Sequence, residues 1–424
     1  MTLIKTSLLN GIAVAIKMLT LLGINKILAI YVGPAGYAAL GQFQNAVQMI
    51  TTFASGAINT GVTKYTAEYH DDETRQHKVW QTAGTIALTG SLITGALIAV
   101  FNQTLANWFL KDTSYGGVFI WLAATLVLFT LNALLLAILN GKKEIVRYVL
   151  ANIAGSIFAL AVTTIMAIQL GLYGALIALA IYQSIAFFVT LLLCYQAPWF
   201  KMRNLFGGID RQAVRNLAKY TAMALTSAAC VPISHILVRN HLGETLGWAA
   251  AGYWEAMWRL STAYLMLVTT TLGVYYLPKF SELQDFGLIK KEILKGYTLI
   301  LPTVALTAIL IYLLREVIIN LLFTQDFLPM QDLFGWQMLG DFFKIGSWML
   351  AYLMLSKAMF KVFMVLEILF SLSFVVATYA FVQLFGLKGV AIAHALNYLF
   401  YWAILIVYLS YKSQAQTTKV RNAE

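Results

Sequence analysis

Long apolar segments fill this sequence and constrain its fold more than any other feature. Of its 424 residues, 60% are hydrophobic and 11% are charged, and the mean hydropathy is +0.76. Because one helical span needs about 20 apolar residues, a chain of this length has room for about a dozen spans. No long run alternates polar and apolar residues, which argues against a transmembrane β-barrel. We therefore predict an all-α polytopic membrane protein with about 12 transmembrane helices.

The basic residues indicate how these helices are oriented. Twelve predicted spans leave 21 of the 29 Lys and Arg residues on the side of the N-terminus, and five inside spans. The opposite side holds only Lys111, Arg239 and Lys388. Cytoplasmic loops of membrane proteins carry an excess of Lys and Arg, so we expect both termini in the cytoplasm. Because the cations follow the loops and form no patch, nucleic acid is not an expected partner of this chain despite its net charge of +11.

An internal repeat predicts two lobes. Three pairs of segments match at offsets of about 209–215 residues, which indicates two homologous six-helix halves of the same orientation. Transporters often have this architecture, with the substrate site between the halves. We assign residues 1–198 and 216–424 to the lobes and 199–215 to a cytoplasmic linker. The matched pairs are Asn25–Leu28 with Ser234–Leu237, Gly36–Gln44 with Gly247–Glu255, and Gly171–Ala178 with Gly386–Ala393.

Several charged residues lie inside the predicted spans. A charge at the centre of a bilayer costs about 2.5–3.5 kcal/mol on insertion scales, so such residues usually face a protein interior or a watery cavity. Cations outnumber anions here, which suggests that the cavity binds an anion. The residues are Lys17, Lys26, Glu255, Arg259, Asp341, Lys344 and Glu367.

Arg259 is the strongest candidate for binding that anion. Glu255 lies one helical turn before it, so the two could simply neutralise each other within the membrane. Alternatively, the planar guanidinium of Arg259 is suited to phosphate oxygens. At the equivalent places of the first repeat stand Gln44 and Gln48, which we predict contact substrate as well.

The lysines allow the same two interpretations. Lys26 lies near the end of its helix and could extend to the membrane surface, whereas Lys17 lies deeper. Nine residues separate them, which places them on nearly opposite faces of a straight helix. Lys344 has Asp341 three residues before it and is either neutralised by it or available to substrate.

Four further side chains are candidates for coupling or for sugar binding. His235 is either a core histidine or a group that couples protons to transport, and Glu367 is either a proton site or a neutral buried acid. We group both with Asp341 as coupling or gating candidates. Tyr253 and Trp254 could stack on sugar rings.

Motifs for catalysis, metal binding and nucleotide binding are missing from the sequence. We find no HExxH, no P-loop and no GxSxG, and no loop is large enough to house an active site. The two cysteines, Cys194 and Cys230, have no metal-binding spacing. We therefore expect a transporter without cofactor or metal, driven by an ion gradient, the membrane potential or the substrate gradient.

Four groups of motifs carry a family resemblance that extends over nearly the whole chain. They are Tyr31–Tyr37, Asn59–Tyr65 followed by Glu68–Asp71, Tyr275–Pro278, and Asp332–Gln337 with Asp341 and Lys344 beyond it. With these motifs, the chain resembles the Wzx-type polysaccharide flippases of the multidrug/oligosaccharidyl-lipid/polysaccharide exporter superfamily. That family includes flippases for O-antigen units and for lipid III of enterobacterial common antigen.

The resemblance implies a V-shaped protein of two lobes with a central cationic cavity, located in the bacterial inner membrane. It also implies a substrate, an undecaprenyl-pyrophosphate-linked oligosaccharide moved from the cytoplasmic to the periplasmic leaflet, with membrane lipids and other polysaccharide-assembly proteins as further partners. Two alternatives remain. A cation-coupled small-molecule efflux antiporter of the same superfamily would carry an acidic cavity, and a polymerase or ligase of the same pathway would need a large periplasmic loop.

Overall fold

A computed structural model describes the backbone of residues 3–283, 285–357 and 359–421. Side chains are described within these ranges except at positions 3–10, 219, 220, 223, 274, 278, 286 and 411–421. Residues 1–2 of the first predicted lobe and 422–424 of the second therefore lie outside the described residues, as does the side chain of Pro278 in the Tyr275–Pro278 motif.

The described residues form helices and turns, without a β-strand. Short 3₁₀ helices at Thr113–Tyr115, Met202–Leu205 and Gln325–Leu333 and a π-helical turn at Leu272–Tyr276 interrupt or join the α-helices. The α-helices are α1 Leu3–Tyr31, α2 Gly33–Ala54, α3 Asn59–Glu68, α4 Glu73–Val100, α5 Asn102–Leu110, α6 Gly116–Gly141, α7 Ile145–Tyr195, α8 Arg211–Leu246, α9 Trp248–Thr271, α10 Leu277–Glu282, α11 Phe286–Leu313, α12 Arg315–Leu322, α13 Phe334–Ser356, α14 Phe360–Phe385 and α15 Lys388–Arg421.

Within the part of the chain that the structure describes, eight helical segments are long and apolar enough to cross a membrane. One of them is α7, whose 51 residues exceed what one span requires. Gly171 divides α7 with φ +57° and ψ −132°, backbone angles that glycine adopts without a Cβ clash. Counting the two parts of α7 separately gives nine spans, and the predicted twelve require the more polar helices α2, α8 and α9 as well. The all-α fold with two lobes of membrane-spanning helices is confirmed.

The chain divides into two compact units, Met1–Ile236 and Leu237–Glu424. The division falls within α8, whereas the repeat predicts a boundary at residues 199–215. The difference arises because the first half of α8 packs in the first unit. There Asn45 Nδ2 donates to the carbonyl of Pro232 at 3.4 Å, and Thr221 Oγ1 donates to that of Gly56 at 3.1 Å. The lobe boundaries inferred from the repeat stay a prediction.

The predicted linker packs against the first unit too. Phe200, Leu205 and Ala213 join its apolar core. A Cβ added to Gly84 of α4 would lie 1.8 Å from the carbonyl oxygen of Leu205, so only glycine permits this approach of the two backbones. Asn204 also bonds to His77 on α4 at 3.0 Å. The segment after the sixth span is therefore fixed to the first unit.

In the second unit, α13 occupies the interior. It packs against α9, α11, α14 and α15. Apolar residues on these helices, such as Leu265, Met349 and Leu405, form a continuous core. A polar residue on α13 is therefore surrounded by protein on most sides, and this is where Asp341 and Lys344 lie.

Candidate functional site

Two arginines of the second unit share one carboxylate. Glu255 of α9 accepts hydrogen bonds on Oε2 from Arg239 Nε at 3.0 Å and Nη2 at 2.9 Å. Its Oε1 accepts from Arg259 Nε at 2.8 Å. The side chains of Arg239 and Glu255 are 2% and 4% exposed, and that of Arg259 is 14% exposed. Two guanidinium groups against one carboxylate leave this cluster with one net positive charge.

The sequence analysis counted Arg239 with Lys111 and Lys388 on the side opposite the N-terminus, and that orientation stays a prediction. The structure buries Arg239 within the second unit, 16 residues from its partner Glu255. Its guanidinium also lies 5.5 Å from the ring centroid of Trp254. The helical spacing of Glu255 and Arg259 was visible in the sequence. The contact between Arg239 and Glu255 joins α8 to α9, and the spacing of residues within one helix cannot predict such a contact.

The two aromatic residues predicted to stack on sugars have different surroundings. Trp254 is fully buried and packs against Trp258 and Phe374, with ring centroids 6.1 and 6.2 Å apart. It therefore presents no open face to a sugar in this conformation. Tyr253 is half-buried and meets Phe327 edge to face at 6.1 Å. Sugar stacking stays a prediction, and Tyr253 is the better placed of the two.

A second buried cluster surrounds Asp341 of α13. Its Oδ1 accepts from His394 Nε2 of α15 at 3.1 Å and from Gln337 Nε2 at 3.2 Å. Its Oδ2 accepts from the hydroxyl of Tyr264 of α9 at 2.8 Å. Asp341 and His394 are 0% and 1% exposed. Three helices thus contribute to one carboxylate in the interior of the unit.

Lys344 is buried among aromatic rings. Its Nζ lies 4.4, 4.9 and 5.7 Å from the ring centroids of Trp258, Trp348 and Tyr398. Such faces attract an ammonium through their quadrupoles, with more effect when the group is desolvated. Asp341, one turn away on the same helix, hydrogen-bonds to His394 at 3.1 Å. Because Trp258 contacts Trp254, Lys344 and His394, the two clusters adjoin each other.

The predicted residues of the first unit lie on two helices. Lys17 is exposed and Lys26 is half-buried on α1, which runs without interruption from Leu3 to Tyr31. Gln44 and Gln48 are both exposed on α2 and lie one turn apart on one face. The structure thus presents Lys17, Gln44 and Gln48 at the surface of the unit, and their contact with substrate stays a prediction.

The other two coupling candidates lie apart from these groups. His235 is buried at the end of the first unit, and Glu367 of α14 is half-buried. The sequence analysis missed His394 and Tyr264, which contact Asp341 directly. His394 was detectable as a lone histidine in an apolar span, whereas nothing in the sequence distinguishes Tyr264 from the other 21 tyrosines.

A scan against protein families matches residues 3–284 to the family described as polysaccharide biosynthesis protein. Two curated relatives named lipid III flippase, from Escherichia coli K12 and from Shigella flexneri, are each 28% identical over 417 residues. The match covers 98% of this chain and the whole of each relative.

Solved structures share the fold. An inward-facing multidrug resistance transporter of the multidrug and toxin extrusion (MATE) family matches with a TM-score of 0.78 and 16% identity, covering 95% of this chain and 96% of that one. A transporter of the same superfamily from Pyrococcus furiosus matches at 0.64 and 15%, covering 95% and 96%. At these identities the likeness concerns the fold alone. The family match spans more than half of the chain, and the protein is thus a member of the polysaccharide biosynthesis protein family.

Proposed function

We propose that this protein is a flippase for a lipid-linked oligosaccharide. It moves an undecaprenyl-pyrophosphate-linked sugar unit, an O-antigen repeat or a related unit, from the cytoplasmic to the periplasmic leaflet of the bacterial inner membrane by alternating access. Both termini lie in the cytoplasm. The end-to-end similarity to lipid III flippases supports the substrate class. The substrate crosses without a bond being made or broken, so the protein acts as a transporter.

The charge of the Arg239–Glu255–Arg259 cluster is the observation that carries this proposal. A pyrophosphate cannot enter hydrocarbon unless positive charge balances its negative charge, because desolvating an ion costs several kcal/mol even in a protein. A group that stays net positive after its internal ion pairs are counted provides that positive charge. An efflux protein for organic cations would need the opposite sign, so the cluster argues against that alternative.

The three residues have different roles in the proposal. Arg239, held by two hydrogen bonds and enclosed, anchors Glu255. Arg259 is the more accessible of the two arginines and presents its guanidinium to phosphate oxygens. Glu255 competes with the phosphate for Arg259, so binding remains moderate and the substrate can leave. Lys344, behind Trp258, adds a further positive charge to the same unit.

The first unit contributes groups for the sugars and for the remaining phosphate charge. Lys17 and Lys26 neutralise part of the pyrophosphate, and Gln44 and Gln48 bond to sugar hydroxyls, while Tyr253 of the second unit stacks on a sugar ring. The undecaprenyl chain stays among the membrane lipids. His235, Asp341 and Glu367 are the groups that couple or gate the movement, and other polysaccharide-assembly proteins supply and receive the sugar unit.

Replacing Arg259 tests the proposal. One hydrogen bond to a charged group contributes about 1.5–3 kcal/mol, so we expect Arg259→Ala to reduce transport of lipid-linked sugar about 10- to 100-fold in proteoliposomes. Arg259→Lys should restore part of it, because lysine keeps the charge but lacks the planar fork. Arg315→Ala is the matched control, since Arg315 lies in the same unit and bonds to the carbonyl of Tyr312. Undiminished transport by Arg259→Ala would remove the cluster from the mechanism.

A further inference from the structure

Asp341 and His394 form a fully enclosed acid–base pair in the second unit. The carboxylate receives hydrogen bonds from His394, Gln337 and Tyr264 at 3.1, 3.2 and 2.8 Å. Burying such a pair costs more desolvation energy than many ion pairs return, and apolar residues of similar volume are often as stable or more so. The presence of this pair at the centre of an apolar unit therefore needs a reason other than stability.

The internal repeat shows that the fold does not require the pair. The offset of 215 residues that aligns Gly171–Ala178 with Gly386–Ala393 places Leu126 opposite Asp341 and Leu179 opposite His394. Leu126 is fully buried on α6, which packs against α7 as α13 packs against α15. The first unit thus has leucines at the positions where the second unit has an acid and a base.

The chemistry of the pair selects one ligand. Among the residues that the structure describes, no three His, Cys, Asp or Glu side chains converge as a metal site would require. The carboxylate of Asp341 disfavours an anion at this point. A proton remains, and the hydrogen bond between His394 Nε2 and Asp341 Oδ1 joins a carboxylate to an imidazole, the side chain that most readily takes up a proton at physiological pH.

We propose that Asp341, His394 and Tyr264 form a proton-binding site that is coupled to the binding of the pyrophosphate through the charge of Lys344. With neutral imidazole, Asp341 and Lys344 balance each other. One added proton leaves the cluster with an unbalanced positive charge in a buried place, which an arriving anion relieves. Protonation and anion binding therefore favour each other, and this coupling is reciprocal. The link to pyrophosphate rests on the proposed function.

Groups on α9, α14 and α15, and on α13 itself, take part in this balance. Those that face the pair or act on it through charge are Tyr264 and Ser261 of α9, Gln337 and Lys344 of α13, Glu367 of α14 through its effect on Tyr398, and Tyr398 of α15. Lys344 is the only cation in this set besides His394, so it is the residue whose charge the added proton reinforces.

Two variants separate this role from a structural one. His394→Gln removes the titrating ring. The double variant Asp341→Leu/His394→Leu reproduces the residues of the first unit and should fold with unchanged or higher thermal stability. His241→Gln is the matched control, because His241 is a second enclosed histidine of this unit, stacked on Tyr379 at 3.8 Å.

The first measurement is tryptophan fluorescence of the purified full chain in lipid nanodiscs between about pH 5 and pH 8. Trp258 lies 5.6 Å from the ring of His394, so protonation of that imidazole should quench its emission. The measurement is made with His77→Gln as the common background, because the His77 ring lies 5.3 Å from that of Trp80 and would add a transition of its own. In that background we expect one transition with His394 present and with His241→Gln added, and none with His394→Gln or the double variant added. A transition that persists when His394→Gln is added, or none while His394 is present, would overturn the proton site.

The second measurement is the binding of undecaprenyl pyrophosphate to the same nanodiscs. The wild type should bind about 5-fold or more tightly at the acidic end of the range, whereas the double variant should bind equally at both ends. Binding by the wild type that does not change with pH would overturn the coupling and leave the flippase proposal intact. A wild type that binds no undecaprenyl pyrophosphate at any pH, with the fluorescence transition present, would refute the flippase proposal and leave the proton site intact.

Discussion

Removing Glu255 should destabilise the second unit far more than removing Arg259. Glu255→Ala deletes three hydrogen bonds and leaves the guanidinium of Arg239, 2% exposed, without its carboxylate. Breaking a buried ion pair in this way costs about 3–5 kcal/mol. Arg259→Ala deletes one of the three bonds and leaves Glu255 with Arg239. Because the side chain of Arg259 is 14% exposed, we expect a loss of about 1–2 kcal/mol.

Thermal unfolding of the purified variants measures this difference. For a unit of this size, 1 kcal/mol shifts Tm by about 2–4 °C, so Glu255→Ala should lower Tm by about 6–20 °C and Arg259→Ala by about 2–8 °C. For transport we expect the opposite order: Arg259→Ala should reduce the transport rate more than Glu255→Ala does, because it acts directly on the substrate site. If both variants lowered Tm equally, Arg239 would not be the residue that holds Glu255, and the assignment of anchor and substrate-binding arginine would be wrong.

Two glycines provide further tests of the fold. Gly84→Ala should lower Tm and expression, because its Cβ would lie 1.8 Å from the carbonyl oxygen of Leu205, whereas Gly208→Ala, with open space around it, should leave both unchanged. Gly171→Ala should destabilise the first unit by about 1–3 kcal/mol, because φ +57° with ψ −132° suits glycine alone, and Gly155→Ala within the same helix should not. If either Gly84→Ala or Gly171→Ala melted at the wild-type temperature, the backbone geometry at that glycine would be contradicted.

Helical periodicity and hydropathy made much of the architecture predictable. Both are local properties of the chain, so the apolar spans and the helical spacing that allows Glu255 to pair with Arg259 followed from them. The partners of the buried charges did not. The sequence left open whether Asp341 pairs with Lys344 one turn away, and in the structure its carboxylate hydrogen-bonds to His394, 53 residues along the chain. Lys344 contacts aromatic rings instead.

The sequence by itself determined that this chain crosses a membrane repeatedly, that its halves are homologous, and that charges occur inside its spans. Tertiary structure alone decided which of those charges meet. Helix packing brought Arg239 to Glu255 and His394 to Asp341, leaving one cluster net positive and the other poised to bind a proton. The physical reason is that hydropathy and periodicity reflect each helix by itself, whereas electrostatic pairing depends on distances between helices that only packing sets.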